Sequence, residues 1–293
     1  MTVTDQIVRQ SGEVRVGAAH AAKALKRPSI GCTLNGAVPV HDFPIRDEIL
    51  FQYAPAVSGG KYLEIGAGSG YTAYCLAPQA SRLTIADFAE VTLSDLRGKL
   101  GTIPNVVFAR ADLSQPNLLD IVGGDFDLMY GLDMFEYVPD VACGFRNIAS
   151  VLRPGGAMFL TFPNQPPPKG DGVTWFPTLE GLEKKLRQAG FARWEIFTVR
   201  QSAYAAAVYT LFHEWPLFLY RRLRGSRVQA DLPQTYEETW AFQNRGKLQA
   251  LKHFIHFYWA FLNAVLKIGG RVFRDSPAKQ DLLGHQLVIR AWK

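Results

Sequence analysis

The residues with the clearest chemical meaning lie at positions 61–70, where a short apolar run ends in glycines at every second position. The run contains one acidic residue, Glu64, and the glycine-rich segment spans Gly66–Gly70. Glycine has no Cβ, so such a turn can adopt positive φ angles and let a ligand lie against the backbone. The following segment Tyr71–Leu76 predicts a helix, whose first N–H groups are unpaired and face the same ligand. Strand, glycine turn and helix together predict a nucleotide-type site at the start of a βαβ unit.

Two aspartates follow the next two predicted strands. Asp87 ends the apolar run Leu83–Ala86, and Asp112 comes shortly after the run Val106–Ala109. An acidic residue about twenty positions past a glycine turn is where nucleoside sites bind the ribose diol, because one carboxylate accepts hydrogen bonds from both hydroxyls. Asp87 has this spacing from the glycine turn. Either aspartate could instead cap a helix, which is a common role for Asp after a strand.

The glycine spacing distinguishes this turn from the dinucleotide-binding turn of nicotinamide-dependent oxidoreductases. Those sites need Gly-x-Gly-x-x-Gly, whereas the third glycine here comes one position earlier and the next residue is Tyr71. An oxidoreductase is therefore the weaker alternative. The pattern Glu-x-Gly-x-Gly-x-Gly, from Glu64 to Gly70, instead resembles motif I of the class I S-adenosylmethionine-dependent methyltransferases.

Two later segments resemble the same family. Gly131–Asp140 follows the predicted strand Phe126–Tyr130, where relatives commonly carry an acidic residue and then His before Val-Pro. Here these two positions are Glu136 and Tyr137. Arg153–Gly156 resembles the family's turn between a helix and the fifth strand. The Tyr at the His position keeps a non-catalytic member of the same fold open as an alternative.

The resemblance implies the fold class, the cofactor and the reaction. We expect an α/β, Rossmann-like sheet of seven mostly parallel strands, with helices on both faces and a helical insertion between strands six and seven. We expect S-adenosylmethionine as the cofactor, and methyl transfer (EC 2.1.1.-) to oxygen, nitrogen or carbon of a small apolar or aromatic acceptor. The cofactor-binding residues that the resemblance implies are Glu64, Gly66, Ala67, Gly68, Gly70, Asp87, Phe88, Asp112, Leu113 and Gly131.

The element pattern divides the chain into four segments. The sixth strand is expected at Trp194–Val199 and the seventh at Gln286–Trp292, and the roughly eighty residues between them exceed what a hairpin needs. The predicted segments are an N-terminal arm at 1–44, a cofactor-binding core at 45–199, an insertion at 200–284 and a final strand at 285–293.

The insertion carries the excess positive charge. It holds 12 Lys and Arg against 6 Asp and Glu, which equals the whole net charge of +6. Its two apolar segments, Ala203–Tyr220 and Thr239–Ile268, predict helices that must bury most of their surface. They could enclose an apolar acceptor, pair with a second copy in a homodimer, or lie on an anionic membrane surface beside the arginines of 221–227. Neither segment is suited to span a membrane, and the aromatic residues do not alternate with the basic ones as nucleic-acid binding would require.

The general base is less clear than the cofactor site. The candidates are His41, Tyr137, His213 and Glu214, and each also has a plausible structural role. No metal is expected, because the sequence has no cluster of ligands at metal-binding spacing. Three scattered cysteines and a polar N-terminus without a secretory signal favour a cytoplasmic protein, with peripheral membrane attachment as the alternative. A membrane-surface binding module without catalysis is the remaining rival function.

Overall fold

A computed structural model describes the chain at residues 44–55, 57–68, 70–163, 179–201, 204, 207–208, 210–215, 261, 265, 272–274 and 286–293. Over these residues an eight-stranded sheet is covered by helices. The strands are β1 (Lys61–Ile65), β2 (Arg82–Asp87), β3 (Val106–Arg110), β4 (Phe126–Leu132), β5 (Leu152–Pro163), β6 (Arg193–Gln201), β7 (Val272–Arg274) and β8 (Gln286–Trp292). The α-helices are α1 (Pro44–Tyr53), α2 (Tyr71–Leu76), α3 (Glu90–Leu100), α4 (Leu118–Val122), α5 (Val141–Val151) and α6 (Leu179–Gln188).

The strand order is β3-β2-β1-β4-β5-β8-β6-β7. Strands β1 to β5 pair in parallel, whereas β8 runs antiparallel to both β5 and β6. The seven predicted strands are all present, so the prediction of a mostly parallel Rossmann-like sheet is confirmed. The chain reverses its direction of winding between β1 and β4, and ligands of open α/β sheets bind at the carboxyl ends of the strands at such a point.

Side chains alternate along each strand and contribute to two separate cores. Leu63 of β1 belongs to a core that includes Phe145 of α5. Its neighbour Tyr62 belongs to the opposite core, with Ile49 of α1 and Leu96 of α3. A sheet covered on both faces needs strands that are apolar on both sides, which explains why the apolar runs here are nearly continuous.

Strand β7 is the main addition to the predicted sheet. Val272–Arg274 lies within the insertion predicted at 200–284 and pairs antiparallel with β6. It covers backbone groups of β6 that would otherwise form the edge of the sheet. Apart from residues 200–201, which end β6, the other described parts of the insertion are helical, including the π-helical turn Thr210–Glu214. Most of the predicted helix Thr239–Ile268, and residues 1–43 of the predicted arm, lie outside the described residues.

Several predicted boundaries differ from the structure for identifiable reasons. Helix α1 ends at Tyr53, because Pro55 disfavours helical backbone in the residue before it. Strand β5 begins at Leu152 rather than at residue 157, with an irregular register against β4 at its start. The Arg153–Gly156 segment is therefore part of that strand. Strand β4 also continues to Leu132, so Gly131 lies in the strand.

Candidate functional site

The glycine turn after β1 leaves open space beside its middle glycine. At Gly66 (φ 72°) an added Cβ would lie 2.7 Å from the Cβ of Met134, and at Gly70 (φ 82°) it would lie 2.6 Å from Cδ2 of Leu96. Side chains at these two positions are therefore excluded by packing within the protein. At Gly68 (φ 54°) no described residue comes within 4 Å of the same position. Gly68 thus faces space in which a ligand can lie against the backbone.

Asp87, at the end of β2, is a buried carboxylate beside this turn. Its Oδ1 accepts a hydrogen bond of 2.8 Å from the backbone N–H of Ala89. Burial raises the pKa of Asp87 to about 6, and the hydrogen bond from Ala89 offsets part of this rise. Perturbed carboxyl groups of this kind are concentrated at functional sites. Phe88, which follows it, is 40% exposed and offers an aromatic surface at the same edge.

Glu64, in the middle of β1, is also buried. Its Oε2 accepts a 3.0 Å hydrogen bond from the hydroxyl of Tyr130, on the adjacent strand β4. Tyr130 is itself fully buried. A buried carboxylate needs such donors to offset its desolvation. The two side chains therefore form a polar contact between β1 and β4, two residues before Gly66 begins the glycine turn.

The loop after β3 is held by a residue that the sequence did not single out. Asn147 of α5 donates from Nδ2 to the carbonyl oxygens of Leu113, at 2.8 Å, and Gln115, at 2.6 Å. Asp112 is exposed, and its Oδ1 accepts a hydrogen bond from the N–H of Ser114. Asp112 thus stabilises its own turn, and Asn147 fixes that turn relative to the sheet.

The segment after β4 packs against the glycine turn. An added Cβ at Gly131 would lie 3.0 Å from Sδ of Met134 and 3.2 Å from the carbonyl oxygen of Ile65, so this glycine is required by packing. Tyr137 ends a short 3₁₀ helix that begins at Phe135 and is partly buried there. Asp133 is one of two non-glycine residues with positive φ that the described part of the chain contains.

The other candidate bases are not brought to this edge by the described residues. His213 and Glu214 lie in the π-helical turn of the insertion, and their side chains are outside the description. His41 is also outside it. In the described part of the chain no three His, Cys, Asp or Glu side chains are grouped as metal ligands. No helix within those ranges is long and apolar enough to cross a membrane.

The sequence of the core matches known proteins. Residues 63–158 match a family model described as a methyltransferase domain. Over 135 residues the chain is 30% identical to the ubiquinone biosynthesis O-methyltransferase of Marinobacter nauticus, a match covering 44% of this chain and 55% of that protein. The corresponding protein of Pseudomonas aeruginosa is 30% identical over 131 residues, with the same coverage. The core of this chain is therefore similar to methyltransferase domains.

The chain spans about half the length of the curated relatives it matches. Two solved structures extend the likeness of fold across most of this chain. The [4+2]-cyclase SpnF matches with a TM-score of 0.51 and 18% identity, covering 95% of this chain and 94% of that one. The YcgJ protein of Bacillus subtilis matches with a TM-score of 0.50 and 12% identity, covering 85% and 97%. Since one of these proteins is described as a cyclase, the fold alone does not identify a reaction.

The described site residues lie at the ends of four neighbouring strands. The glycine turn follows β1, Asp87 ends β2, the Asp112 loop follows β3, and Gly131 lies near the end of β4. All four places are at the carboxyl ends of parallel strands. Sequence reasoning overlooked Asn147 and Asp133. The available signal for Asn147 was a polar residue among the mainly apolar residues of α5. The signal for Asp133 was an Asp directly after a strand.

Proposed function

We propose that this protein is an S-adenosylmethionine-dependent methyltransferase that acts on a small, apolar acceptor. The observation that carries the proposal is the buried carboxylate of Asp87, with its raised pKa, beside the open space at Gly68. S-adenosylmethionine, when bound, would supply a methyl group already activated by the positive charge on its sulfur. The protein then has to bind the cofactor and the acceptor, orient them towards each other and exclude water.

The described residues fit this cofactor. Within the described chain the carboxylate of Asp87 accepts one hydrogen bond, at Oδ1, and a ribose diol would offer two further O–H donors. The open side of Gly68 would accommodate the amino-acid part of the cofactor, as the family resemblance implies. Glu64 would lie near the positive end of that part, as the family resemblance implies. Asp112 lies on the loop that the resemblance assigns to the adenine amino group.

Calorimetric titration with S-adenosylmethionine tests the cofactor site. We expect micromolar binding to the full chain, weakened about 10- to 100-fold in Asp87→Ala because hydrogen bonds to a charged group are lost. The matched control is Asp127→Ala, which removes a carboxylate from the opposite end of the sheet and should leave the affinity unchanged. No binding to the folded wild-type protein, or equal binding to Asp87→Ala, would count against the proposal.

The pH dependence of the same titration provides a second check. Binding of the diol requires the ionised carboxylate, and burial raises the pKa of Asp87 to about 6. Affinity should therefore be constant above pH 6 and fall by up to about tenfold per pH unit below it. The Asp87→Asn variant should lack this acid limb.

An apolar acceptor is supported by the exposed side chains of the insertion. The rings of Phe212 and Phe261 lie 5.9 Å apart in edge-to-face contact, so two described parts of the insertion touch. The hydroxyl of Tyr204 also donates to the carbonyl oxygen of Val265, at 2.9 Å. Leu211 and Trp215 next to them are 59% and 61% exposed. Such a surface suits an apolar acceptor better than a charged one.

Peripheral contact with an anionic membrane is the second candidate for the same surface. It is favoured by the exposure of Leu211 and Trp215 together with the arginines that follow at 221–227. Flotation with phosphatidylserine vesicles should recover the wild-type protein and lose the Leu211→Ser/Trp215→Ser double variant. Recovery of both proteins, or of neither, would favour an acceptor surface or a homodimer contact, which sedimentation of the two proteins would then separate.

A further inference from the structure

Asp133, at the carboxyl end of β4, adopts an unusual backbone conformation. Its φ is 50°, in the left-handed region that non-glycine residues rarely occupy. Such a conformation persists only where the surrounding structure holds it, and it is frequent at functional sites. The carboxylate is partly buried rather than extended into solvent.

Two neighbouring strands hold Asp133 in this position. Thr161 of β5 donates from its hydroxyl to Oδ1 of Asp133, at 2.9 Å. The backbone N–H of Asp133 in turn lies 3.2 Å from both the carbonyl oxygen and Oγ1 of Thr161. Gln286, the first residue of β8, donates from Nε2 to Oδ2 of Asp133, at 3.1 Å. Both carboxylate oxygens are thus oriented by side chains from regular strands, which position functional groups more accurately than loops do.

The same contact fixes the orientation of the Gln286 amide. An amide oxygen facing the carboxylate would be repelled, so Nε2 must point to Asp133 and Oε1 must point away. In that orientation Oε1 is buried and accepts no hydrogen bond from any described residue. A buried acceptor without a donor costs about 1–3 kcal/mol. A ligand that brings an O–H or N–H group would supply the missing donor.

The cluster of Asp133, Thr161 and Gln286 lies next to the glycine turn. Met134, which follows Asp133 directly, packs so closely on Gly66 that an added Cβ there would be 2.7 Å from the Met134 Cβ. The cluster is therefore adjacent to the turn that the proposed function assigns to the cofactor. An acceptor bound at the cluster would lie beside that turn.

We infer that the Asp133–Thr161–Gln286 cluster binds the reacting hydroxyl of the acceptor, and that Asp133 takes its proton. This inference rests on the proposed function and names the acceptor class as a hydroxyl compound. A carboxylate that accepts the proton of a hydroxyl makes its oxygen more nucleophilic. Beside an amine the same carboxylate would stabilise the ammonium form, which has no lone pair to accept a methyl group. Each ether formed releases one proton, with the bond electrons left on the donor sulfur, and this proton passes through Asp133 to water.

Thr161 and Gln286 act as positioning residues in this arrangement. Thr161 orients Oδ1 of Asp133, and Gln286 orients Oδ2 while its own Oε1 accepts from the ligand. Loss of either should reduce turnover less than loss of the carboxylate itself. The curated relatives named above are O-methyltransferases, which agrees with an oxygen acceptor.

Paired acceptors that differ only in the reacting atom test the inference. The full chain is incubated with S-adenosylmethionine and para-hexylphenol, hexylcatechol or dodecanol, and in parallel with para-hexylaniline or dodecylamine. We expect methylation of at least one hydroxyl compound and of neither amine. Asp133→Asn should lower kcat by about 100-fold or more, as expected for loss of a general base. The same variant should bind S-adenosylmethionine as wild type does.

The positioning residues have their own readout. The hydroxyl compound that proves to be a substrate is titrated into protein loaded with S-adenosylhomocysteine. Its affinity should weaken about 3- to 30-fold in Gln286→Met, because a hydrogen bond to Oε1 is lost. Thr161→Val should lower kcat with little change in KM, and Thr161→Ser should restore it. The control is Asp127→Asn, at the other end of β4. This variant should have wild-type kcat and KM at temperatures below the melting temperature of the variant.

The outcomes separate this inference from the proposed function. Methylation of an amine but no hydroxyl compound, methylation of none of the five, or undiminished kcat in Asp133→Asn would overturn the assignment of the cluster. In each of these cases tight binding of S-adenosylmethionine would leave the cofactor site standing. If the folded wild type does not bind the cofactor, the proposed function fails first.

Discussion

Carboxylates at the two ends of the parallel strands have different environments, which shift their pKa values in opposite directions. At the amino end of β4, Asp127 accepts a 2.7 Å hydrogen bond from the backbone N–H of Lys61 and pairs with Arg153. The Lys61 N–H first, and Arg153 second, hold the pKa of Asp127 below its usual value. At the carboxyl end of β2, Asp87 has one backbone donor, and burial raises its pKa to about 6. The fold supplies donors to both carboxylate oxygens of Asp127 but to only one of Asp87.

This difference separates structural from functional polar groups without reference to any relative. Asp127 joins the starts of β1, β4 and β5, and its oxygens are used within the fold. Asp87 costs stability while it is ionised and buried, and such groups persist where they serve a ligand. Asp133 differs from Asp127 in its backbone conformation rather than in its donors, because both of its oxygens also accept hydrogen bonds. It lies six residues beyond Asp127, at the ligand-binding end, in a backbone conformation that needs outside support.

The largest expected effect comes from removing the charge at Asp87. Asp87→Asn should raise the free energy of unfolding at pH 7 by up to about 3 kcal/mol, because the pKa rises from 3.8 to about 6 and each pH unit is worth about 1.4 kcal/mol. The amide oxygen can still accept from Ala89. Urea denaturation without cofactor measures the change, and the variant should lose affinity for S-adenosylmethionine as it gains stability.

The pH dependence gives the sign of this effect independently. The native state holds the Asp87 proton more tightly than the unfolded chain, so the wild-type free energy of unfolding falls as pH rises from about 4 to 6. The advantage of Asp87→Asn should therefore be absent near pH 4 and complete above pH 6. An advantage of equal size at both pH values would mean that the charge of Asp87 is not its cause.

A smaller effect, with the opposite pH dependence, is expected at Asp127. Asp127→Asn should lower the free energy of unfolding by about 1–2 kcal/mol, because charge-assisted hydrogen bonds to Lys61 and Arg153 are weakened. The folded pKa is lowered, so this contribution is complete above the unfolded value near 4 and is lost as pH falls through the folded value. Urea midpoints of wild type and variant should converge below pH 4. Persistent separation there, or a change in cofactor affinity, would contradict the structural assignment.

The sequence predicts the ligand-binding half of the sheet well because its signals are local. The apolar run before Gly66, the glycine spacing and the strand that ends at Asp87 each depend on a few adjacent residues. The order of the strands follows from the family resemblance. Local signals do not predict residues whose roles depend on distant partners. Asp133, for example, is oriented by Gln286, which lies 153 positions further along the chain.

The boundaries and the eighth strand show a second limit. Strand β7 forms because β6 has an open edge, and only three residues at Val272–Arg274 take part, too few for a periodic pattern to predict. The early start of β5 depends on pairing of Leu152 with Phe126 across the sheet. Asn147 was equally hidden, because its function is to bind carbonyl oxygens of a loop more than thirty residues away. In each case the partner, rather than the local sequence, decides the structure.

The smallest effects should come from two asparagines that perform the same task at opposite ends of the sheet. Asn105 donates from Nδ2 to the carbonyl oxygens of Ala77 and Ala80, as Asn147 does to the loop after β3. Alanine at either position should lower the free energy of unfolding by about 1 kcal/mol. Because the loop held by Asn147 carries Asp112, only Asn147→Ala should also weaken S-adenosylmethionine binding, by a few-fold in calorimetry. Equal affinities in the two variants would show that the Asp112 loop does not contact the cofactor, and would confine the cofactor site to the ends of β1, β2 and β4.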